Sequence, residues 1–164
     1  MAEVEDATAL LVMALRDLHD GENAMAGRLP TVRGHAQDGQ FVSIIAEDER
    51  RSAGQREALA AIARSLGEAP GGPPNIWLRA ILDDADNDAS TIAPGVLLDI
   101  ALVGALRKAK QSERVSYETA IGLADALGLA DAADSLRTIR DEEAATDEAL
   151  ATTLRRLCDS LPSG

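Results

Sequence analysis

Five acidic side chains in this sequence lie at positions where a helical core would normally hold apolar residues. Glu22 and Asp48 lie in the first half of the chain, and Glu113, Glu143 and Asp147 lie in the second half. Carboxylate oxygens bind cations such as magnesium, manganese and iron, and pairs of metals held in this way carry out oxidation chemistry. Buried carboxylates can also be neutralised by lysine or arginine. The five acids therefore indicate either a metal centre or a buried network of ion pairs.

Basic residues occur at neighbouring positions of the same segments. Lys110 and Arg140 share the apolar face of their segments, and Arg51 lies beside that face in another segment. Cations fill space and offset charge that a metal would otherwise neutralise, so we expect Lys110 and Arg51 to reach the carboxylates. Both histidines, His19 and His35, fall off these faces. Any metal would then be held by oxygen ligands alone.

The segments that carry these residues are predicted to be helices. Aromatic residues make up only 2% of the chain, and most apolar positions are alanine or leucine, which favour helices over strands. Four long segments show helical periodicity and end at glycine or proline signals. They cover approximately residues 4–29, 38–66, 94–127 and 131–161, with a short apolar piece at 76–82 that is followed by a polar, turn-like stretch at 83–90.

The apolar face of each long segment follows steps of three and four residues, as in a helical bundle. On all four segments this face is apolar at both ends and polar near the middle. In an antiparallel bundle the four middles lie at similar heights, so the polar residues should meet in one layer. We therefore predict an all-α, antiparallel four-helix bundle, with a short extra helix between the second and third long helices and a charged layer halfway along.

Composition and charge restrict the possible partners and location. The net charge of −12 disfavours binding to nucleic acid or to an anionic membrane surface. The single cysteine, Cys158, cannot form an intrachain disulfide, which is typical of the cytoplasm. The first six residues contain three acids and no lysine or arginine, unlike a secretory signal. We expect a cytoplasmic protein with a single domain over residues 1–164.

Several segments, in order along nearly the whole chain, match the pattern of a known family. Residues 15–22 read LRDLHDGE, residues 52–59 read SAGQREAL, and residues 141–150 read DEEAATDEAL. Glu113 and Tyr117 fit the third long helix of the same pattern. With this spacing the chain resembles the YciF-like, ferritin-like proteins, which are bacterial stress-associated proteins with a bundle related to that of rubrerythrin.

The resemblance implies a ferritin-like bundle that forms homodimers and has a di-iron type of site. Carried over by position, its metal ligands would be Glu22, Glu143 and Asp147, with Glu113 as a further candidate. Asp48 stands where the family often has a histidine. The chain departs from the pattern at Arg50-Arg51, where the family usually has two glutamates, and at Lys110, where it usually has one.

These departures favour a ferritin-like, stress-associated protein whose di-metal site is degenerate and largely replaced by a buried charge network. We expect that the protein binds no cofactor. The alternative is that it binds iron or manganese. The alternative function is a di-iron or di-manganese carboxylate enzyme with oxidase or peroxidase-like activity. In that case Glu22, Asp48, Glu113, Glu143 and Asp147 are the candidate metal residues.

Overall fold

In a computed structural model of the chain, residues 4–162 are described and form five α-helices and no strand. The helices are α1 (Ala7–His35), α2 (Gly39–Ser65), α3 (Ile76–Thr91), α4 (Val96–Ala126) and α5 (Ala130–Asp159). The predicted all-α fold, with one short helix between the second and third long helices, is confirmed. The domain was predicted over residues 1–164, of which residues 1–3 and 163–164 lie outside the described part.

Side-chain caps and glycines set several helix ends. Asp6, Asp38 and Asn75 each accept a hydrogen bond from a backbone N–H in the first turn of α1, α2 and α3. These bonds satisfy donors that have no partner within the helix. After α2 and α4 the chain turns at Gly67 (φ 77°) and Gly128 (φ 70°), a backbone region that glycine adopts without strain.

The first helix continues beyond Pro30, where the sequence predicted its end. Proline removes one backbone hydrogen bond and disturbs the helix interior, at a cost of about 3 kcal/mol. Leu29 and Val32 are buried in the bundle on either side of Pro30, and their packing keeps this segment helical. The prediction that the first helix stops at Leu29 was therefore wrong.

The short helix α3 is also longer than predicted, because the polar stretch 83–90 is helical rather than a turn. Leu82 and Ala85 are buried against the bundle, so one face of this stretch is apolar. On its outer side, Arg28 of α1 forms ion pairs with Asp83 and Asp86. This acidic stretch packs on the bundle through Ala85 and forms ion pairs with Arg28 of α1 and Lys108 of α4, contacts that its own sequence does not reveal.

Helix α3 lies along α1. The indole Nε1 of Trp77, near its start, donates a hydrogen bond of 3.1 Å to Asp17. The pairs of Arg28 with Asp83 and Asp86 lie further along both helices. Helix α3 therefore runs in the direction of α1 and returns the chain to the end where α2 begins.

Two contacts at that end fix the direction of the remaining helices. Asp99, in the first turn of α4, accepts hydrogen bonds from the backbone N–H groups of Gln37 (3.0 Å) and Asp38 (2.9 Å). Arg156, in the last turn of α5, pairs with Asp38 at 2.6 Å. Helices α2 and α4 therefore run in the same direction, and α1 and α5 run opposite to them. This is the bundle topology with one long crossover, here made by α3.

The core consists of two apolar clusters at opposite ends of the bundle. The first surrounds the turn between α1 and α2, and its members include Met25, Phe41, Leu106 and Leu150. The second lies at the other end, and its members include Leu15, Leu59, Ala120 and Leu136. The predicted pattern, apolar at both ends and polar in the middle, is confirmed.

Replacing Asp99 with alanine is expected to lower the free energy of unfolding by about 1–2 kcal/mol, because a net hydrogen bond contributes about 0.5–1.5 kcal/mol. The change removes the acceptor of the N–H groups of Gln37, which is exposed, and Asp38, which is half-buried, so water replaces part of the loss. Urea unfolding followed by circular dichroism measures the loss. Asp134→Ala, at an exposed position of α5, is the control. Equal stability of the two variants would contradict this role of Asp99.

Candidate functional site

The centre of the bundle is occupied by the ammonium group of Lys110. This side chain is completely buried, and its Nζ lies 2.7 Å from Glu143 Oε2 and 2.9 Å from Asp48 Oδ2. Glu113, one turn along α4, contributes Oε2 at 3.5 Å. One cation thus contacts three carboxylates from α2, α4 and α5.

A further buried acid near this centre, Glu22 of α1, accepts a hydrogen bond from a tyrosine. The hydroxyl of Tyr117 donates a hydrogen bond of 2.8 Å to Glu22 Oε1, and both side chains are fully buried. Each of the four long helices therefore contributes one acid to the layer. We call this layer, formed by Glu22, Asp48, Lys110, Glu113, Tyr117 and Glu143, the charged layer.

Burial changes the protonation of the charged layer. It raises the pKa of Glu22 to about 8, and the charge of Glu143 acts in the same direction. Burial also raises the pKa of Glu113 well above its usual value, and it raises the pKa of Asp48. Burial alone would lower the pKa of Lys110, but the surrounding carboxylates outweigh this effect and raise it. At neutral pH Lys110 is therefore charged and Glu22 mostly holds its proton, while burial shifts Glu113 and Asp48 toward the protonated form.

Bound protons reduce the charge of the layer despite its four acids. Glu22 mostly keeps its proton, and the ammonium of Lys110 lies against Asp48 and Glu143. An isolated buried charge would be strongly unfavourable, whereas paired and protonated groups are tolerated. One lysine together with bound protons thus offsets part of the negative charge that four acids would carry.

Asp147, the fifth predicted metal residue, is bound to other partners. Its two carboxylate oxygens accept hydrogen bonds from Arg107 Nε (2.8 Å) and Gln111 Nε2 (3.1 Å), both on α4. Glu143, one turn earlier on α5, contacts Lys110 instead. The structure therefore brings Glu22, Asp48, Glu113 and Glu143 together around the layer and pairs Asp147 with Arg107.

The prediction that Arg51 enters the layer was wrong. Its Nε bonds Glu47 at 3.1 Å, one turn earlier on α2, and about a third of the side chain is exposed. Arg140 likewise pairs with its neighbour Asp141 at 2.8 Å. Both arginines find a carboxylate on their own helix near the surface, which avoids the larger cost of burying a guanidinium.

Gln55 is a member of this site that sequence reasoning did not assign. Its Nε2 donates hydrogen bonds of 3.0 Å to Glu142 and of 3.0 Å to Glu143, so it joins the surface of the bundle to the charged layer. The available signal was its position on the predicted buried face of α2, where a glutamine needs a polar partner.

The residues present do not fit a di-metal centre. Within residues 4–162, no group of three or more histidine, cysteine or carboxylate side chains is arranged to hold a metal ion. The ammonium of Lys110 lies among the carboxylate oxygens that would bridge two metals. Several of these oxygens nevertheless lack a hydrogen-bond donor in the described structure, including Glu22 Oε2 and Glu113 Oε1. These oxygens could act as cation ligands, but the ammonium of Lys110 occupies the space between the carboxylates.

None of the described helices combines the length and the apolar character that crossing a membrane would require.

Comparison with known proteins agrees with this architecture. The family model described as "Domain of unknown function (DUF892)" matches residues 6–160. YcfI of Rhodopseudomonas palustris, for which a structural role has been suggested, is 27% identical; the match has a TM-score of 0.88 and covers 92% of this chain and 96% of that chain. The Escherichia coli stress protein YciF is 20% identical, with a TM-score of 0.91, over 96% of this chain and 99% of that chain. No curated protein matches the sequence. The resemblance to YciF-like proteins is thus confirmed, and the chain belongs to the DUF892 family of domains of unknown function.

Proposed function

We propose that this chain is a non-catalytic, ferritin-like bundle protein in which Lys110 takes the place of the metal centre. The observation that carries the proposal is the position of its ammonium, 2.7 Å from Glu143 and 2.9 Å from Asp48 in a fully buried layer. A lysine cannot change oxidation state or bind dioxygen. Its place in the layer therefore supports a structural role for the acids.

The proposal also explains why four acids are compatible with a single positive charge. Two divalent metals would supply about four charges, whereas Lys110 supplies one. The raised pKa values of Glu22 and Glu113 make up part of the difference, because burial favours the protonated form of both carboxyls and Glu22, with a pKa of about 8, mostly keeps its proton at neutral pH. Lysine and protons together thus offset part of the charge that a metal centre would otherwise balance.

The biological setting is proposed from the relatives. YciF is a stress protein and YcfI has a suggested structural role, so we propose a stress-associated, structural function in the cytoplasm for this chain. The net charge of −12 supports protein contacts rather than contacts with nucleic acid or anionic lipid.

Purified wild-type protein is expected to retain far less than one metal per chain. The test incubates it aerobically with Fe²⁺ and, separately, with Mn²⁺, removes free metal by desalting, and measures metal by elemental analysis. Retention close to two metals per chain would contradict the proposal. It would favour the alternative, an oxidase or peroxidase-like enzyme whose ligands come from the predicted acids that lie together, Glu22, Asp48, Glu113 and Glu143.

We further propose that the functional unit is a homodimer. Helix α1 exposes two apolar side chains one turn apart, Leu10 (38% exposed) and Met13 (52%), and α4 exposes Val115 (63%). Light scattering at micromolar concentration is expected to give twice the chain mass of 17.2 kDa. A mass equal to that of one chain would contradict the homodimer.

A further inference from the structure

A cleft of about 420 Å³ opens to solvent between α2 and α5. This volume lies within the range of small-molecule sites. Its polar lining comes from both helices and consists of Arg50, Arg51, Gln55, Ser135, Thr138 and Glu142. The charged layer does not use this cleft, and only Gln55 connects the two.

The inner part of the cleft contains a buried oxygen without a partner. Gln55 is only 3% exposed, and its Nε2 donates to two carboxylates, those of Glu142 and Glu143. Because both partners are acceptors, the amide nitrogen must face them, which fixes the orientation of the amide. Its Oε1 is buried and has no hydrogen-bond partner within residues 4–162. It has almost no solvent-accessible area, so the acceptor that a ligand in the cleft can reach beside Gln55 is the carboxylate of Glu142.

The α5 wall of the cleft offers further acceptors. Ser135 and Thr138 donate their hydroxyl hydrogens to backbone carbonyls one turn earlier, at 2.9 Å and 3.0 Å. Their oxygens therefore present only lone pairs to the cleft. Glu142 adds a carboxylate on the same wall. A positively charged group with several N–H donors matches this wall.

The α2 rim of the cleft offers donors. Arg50 and Arg51 share one carboxylate, that of Glu47, so two guanidinium groups face one acid. Arg51 uses Nε for this pair, and within the described chain its terminal nitrogens donate no hydrogen bond. Paired guanidinium N–H groups fit a carboxylate in a bidentate manner. An anionic group matches the rim.

We propose that this cleft binds a small zwitterion, an ω-amino acid, with its ammonium against Glu142 and its carboxylate against Arg51. Gln55, which bonds Glu142 at 3.0 Å, lies four residues after Arg51 on α2, which is about 6 Å along the helix axis. A chain of three methylene groups between amine and carboxylate spans a similar distance. The inference is independent of the proposed structural role of the charged layer.

γ-Aminobutyrate is the probe, with butylamine and butyrate as fragments that each carry one charge. Titration into ¹⁵N-labelled protein, followed by NMR, is expected to give saturable shifts at millimolar concentration, confined to α2 and α5 around the cleft. Each fragment is expected to bind at least tenfold more weakly. Absence of saturation at 100 mM, shifts scattered over the surface, or equal binding of the fragments would overturn the proposal.

Two variants and two controls locate the site. Arg51→Gln and Glu142→Gln each remove one charge from the cleft and are expected to weaken binding of γ-aminobutyrate at least tenfold. Arg64→Gln, on the same helix as Arg51, and Glu148→Gln, on the same helix as Glu142, change exposed residues outside the cleft and should leave binding unchanged. Unchanged binding in Arg51→Gln and Glu142→Gln would overturn the assignment.

Discussion

Replacing Lys110 with methionine is expected to lower the free energy of unfolding by about 3–5 kcal/mol. Methionine has a similar length but no charge, so Asp48 and Glu143 lose the cation that lies 2.9 Å and 2.7 Å from them. Removing one partner of a buried ion pair leaves an uncompensated charge, which costs this amount. Native domains are stable by only about 5–15 kcal/mol, so the effect is large. Urea unfolding followed by circular dichroism at pH 7 measures it.

Lys108 provides a matched control, because it lies two residues from Lys110 on the same helix. Its Nζ is 3.6 Å from Asp84, and both side chains are mostly exposed. Exposed pairs contribute little, so Lys108→Met should change stability by less than about 0.5 kcal/mol. Equal stability of Lys110→Met and Lys108→Met would contradict the proposal that the ammonium of Lys110 offsets the charge of the buried acids.

The same two variants test whether the ammonium stands in for a metal. Without Lys110 the layer keeps four carboxyl groups and has lost its cation. Binding of a cation to the folded state alone raises the melting temperature. Mn²⁺ is therefore expected to raise the melting temperature of Lys110→Met, with no comparable rise in Lys108→Met. An equal rise in both variants would indicate binding elsewhere on the acidic surface.

Replacing Glu22 with glutamine is expected to reduce the loss of stability between pH 5 and pH 8. An unfolded glutamate ionises near pH 4.5, whereas burial and the charge of Glu143 raise the pKa of Glu22 to about 8 in the folded protein. Between these values the folded state holds a proton that the unfolded state has released. Rising pH therefore favours unfolding, and the effect is complete once the pH exceeds the folded pKa.

The magnitude follows from the difference between the two pKa values. Each unit corresponds to about 1.4 kcal/mol, so Glu22 accounts for at most roughly 5 kcal/mol of lost stability by pH 8. Glutamine has no carboxyl to ionise and keeps an oxygen that can accept the hydrogen bond from Tyr117. We therefore expect Glu22→Gln to be more stable than wild type at pH 8.5 and similar to it at pH 5.

Unfolding titrations across this range test the prediction, with the exposed Glu118→Gln as control. His19 acts in the opposite direction, because burial lowers its pKa and its unfolded form gains a proton below pH 6.5. This effect is common to the wild type and both variants, so it cancels in their differences. If Glu22→Gln had the same pH profile as Glu118→Gln, Glu22 would not carry a buried proton.

The charged layer could be predicted from the sequence because its residues interrupt an otherwise regular apolar period. Glu22, Asp48, Lys110, Glu113 and Glu143 all lie on faces whose other members are mostly leucine, isoleucine or alanine. Periodicity gives the face and approximate height of a residue on each helix, and antiparallel neighbours bring equal heights together. These two quantities were sufficient to predict that acids and a lysine meet.

Other features depend on local competition that periodicity does not describe. Arg51 lies beside the buried face and could reach either the charged layer or Glu47. It pairs with Glu47, because burying a guanidinium in the layer would cost more free energy. Asp147 has the spacing of a ligand, but its partner Arg107 lies on another helix. Residues 83–90 pack on the bundle through Ala85 and pair with Arg28, which is more than fifty residues away in the chain. In each case the observed arrangement depends on which of several partners a side chain contacts, or on a residue that is distant in the sequence.

The single lysine in the middle of the bundle also restricts how the helices can slide along one another. A shift of α2 by one turn, about 5.4 Å, would replace Asp48 beside the ammonium with Ile44 or Ser52, and a shift of α4, which carries Lys110, would move the ammonium away from both Asp48 and Glu143. The apolar clusters would tolerate such a shift better, because contacts between apolar side chains are not directional and can repack. The layer therefore selects one vertical alignment of the helices, as a buried polar residue selects the register of a coiled coil.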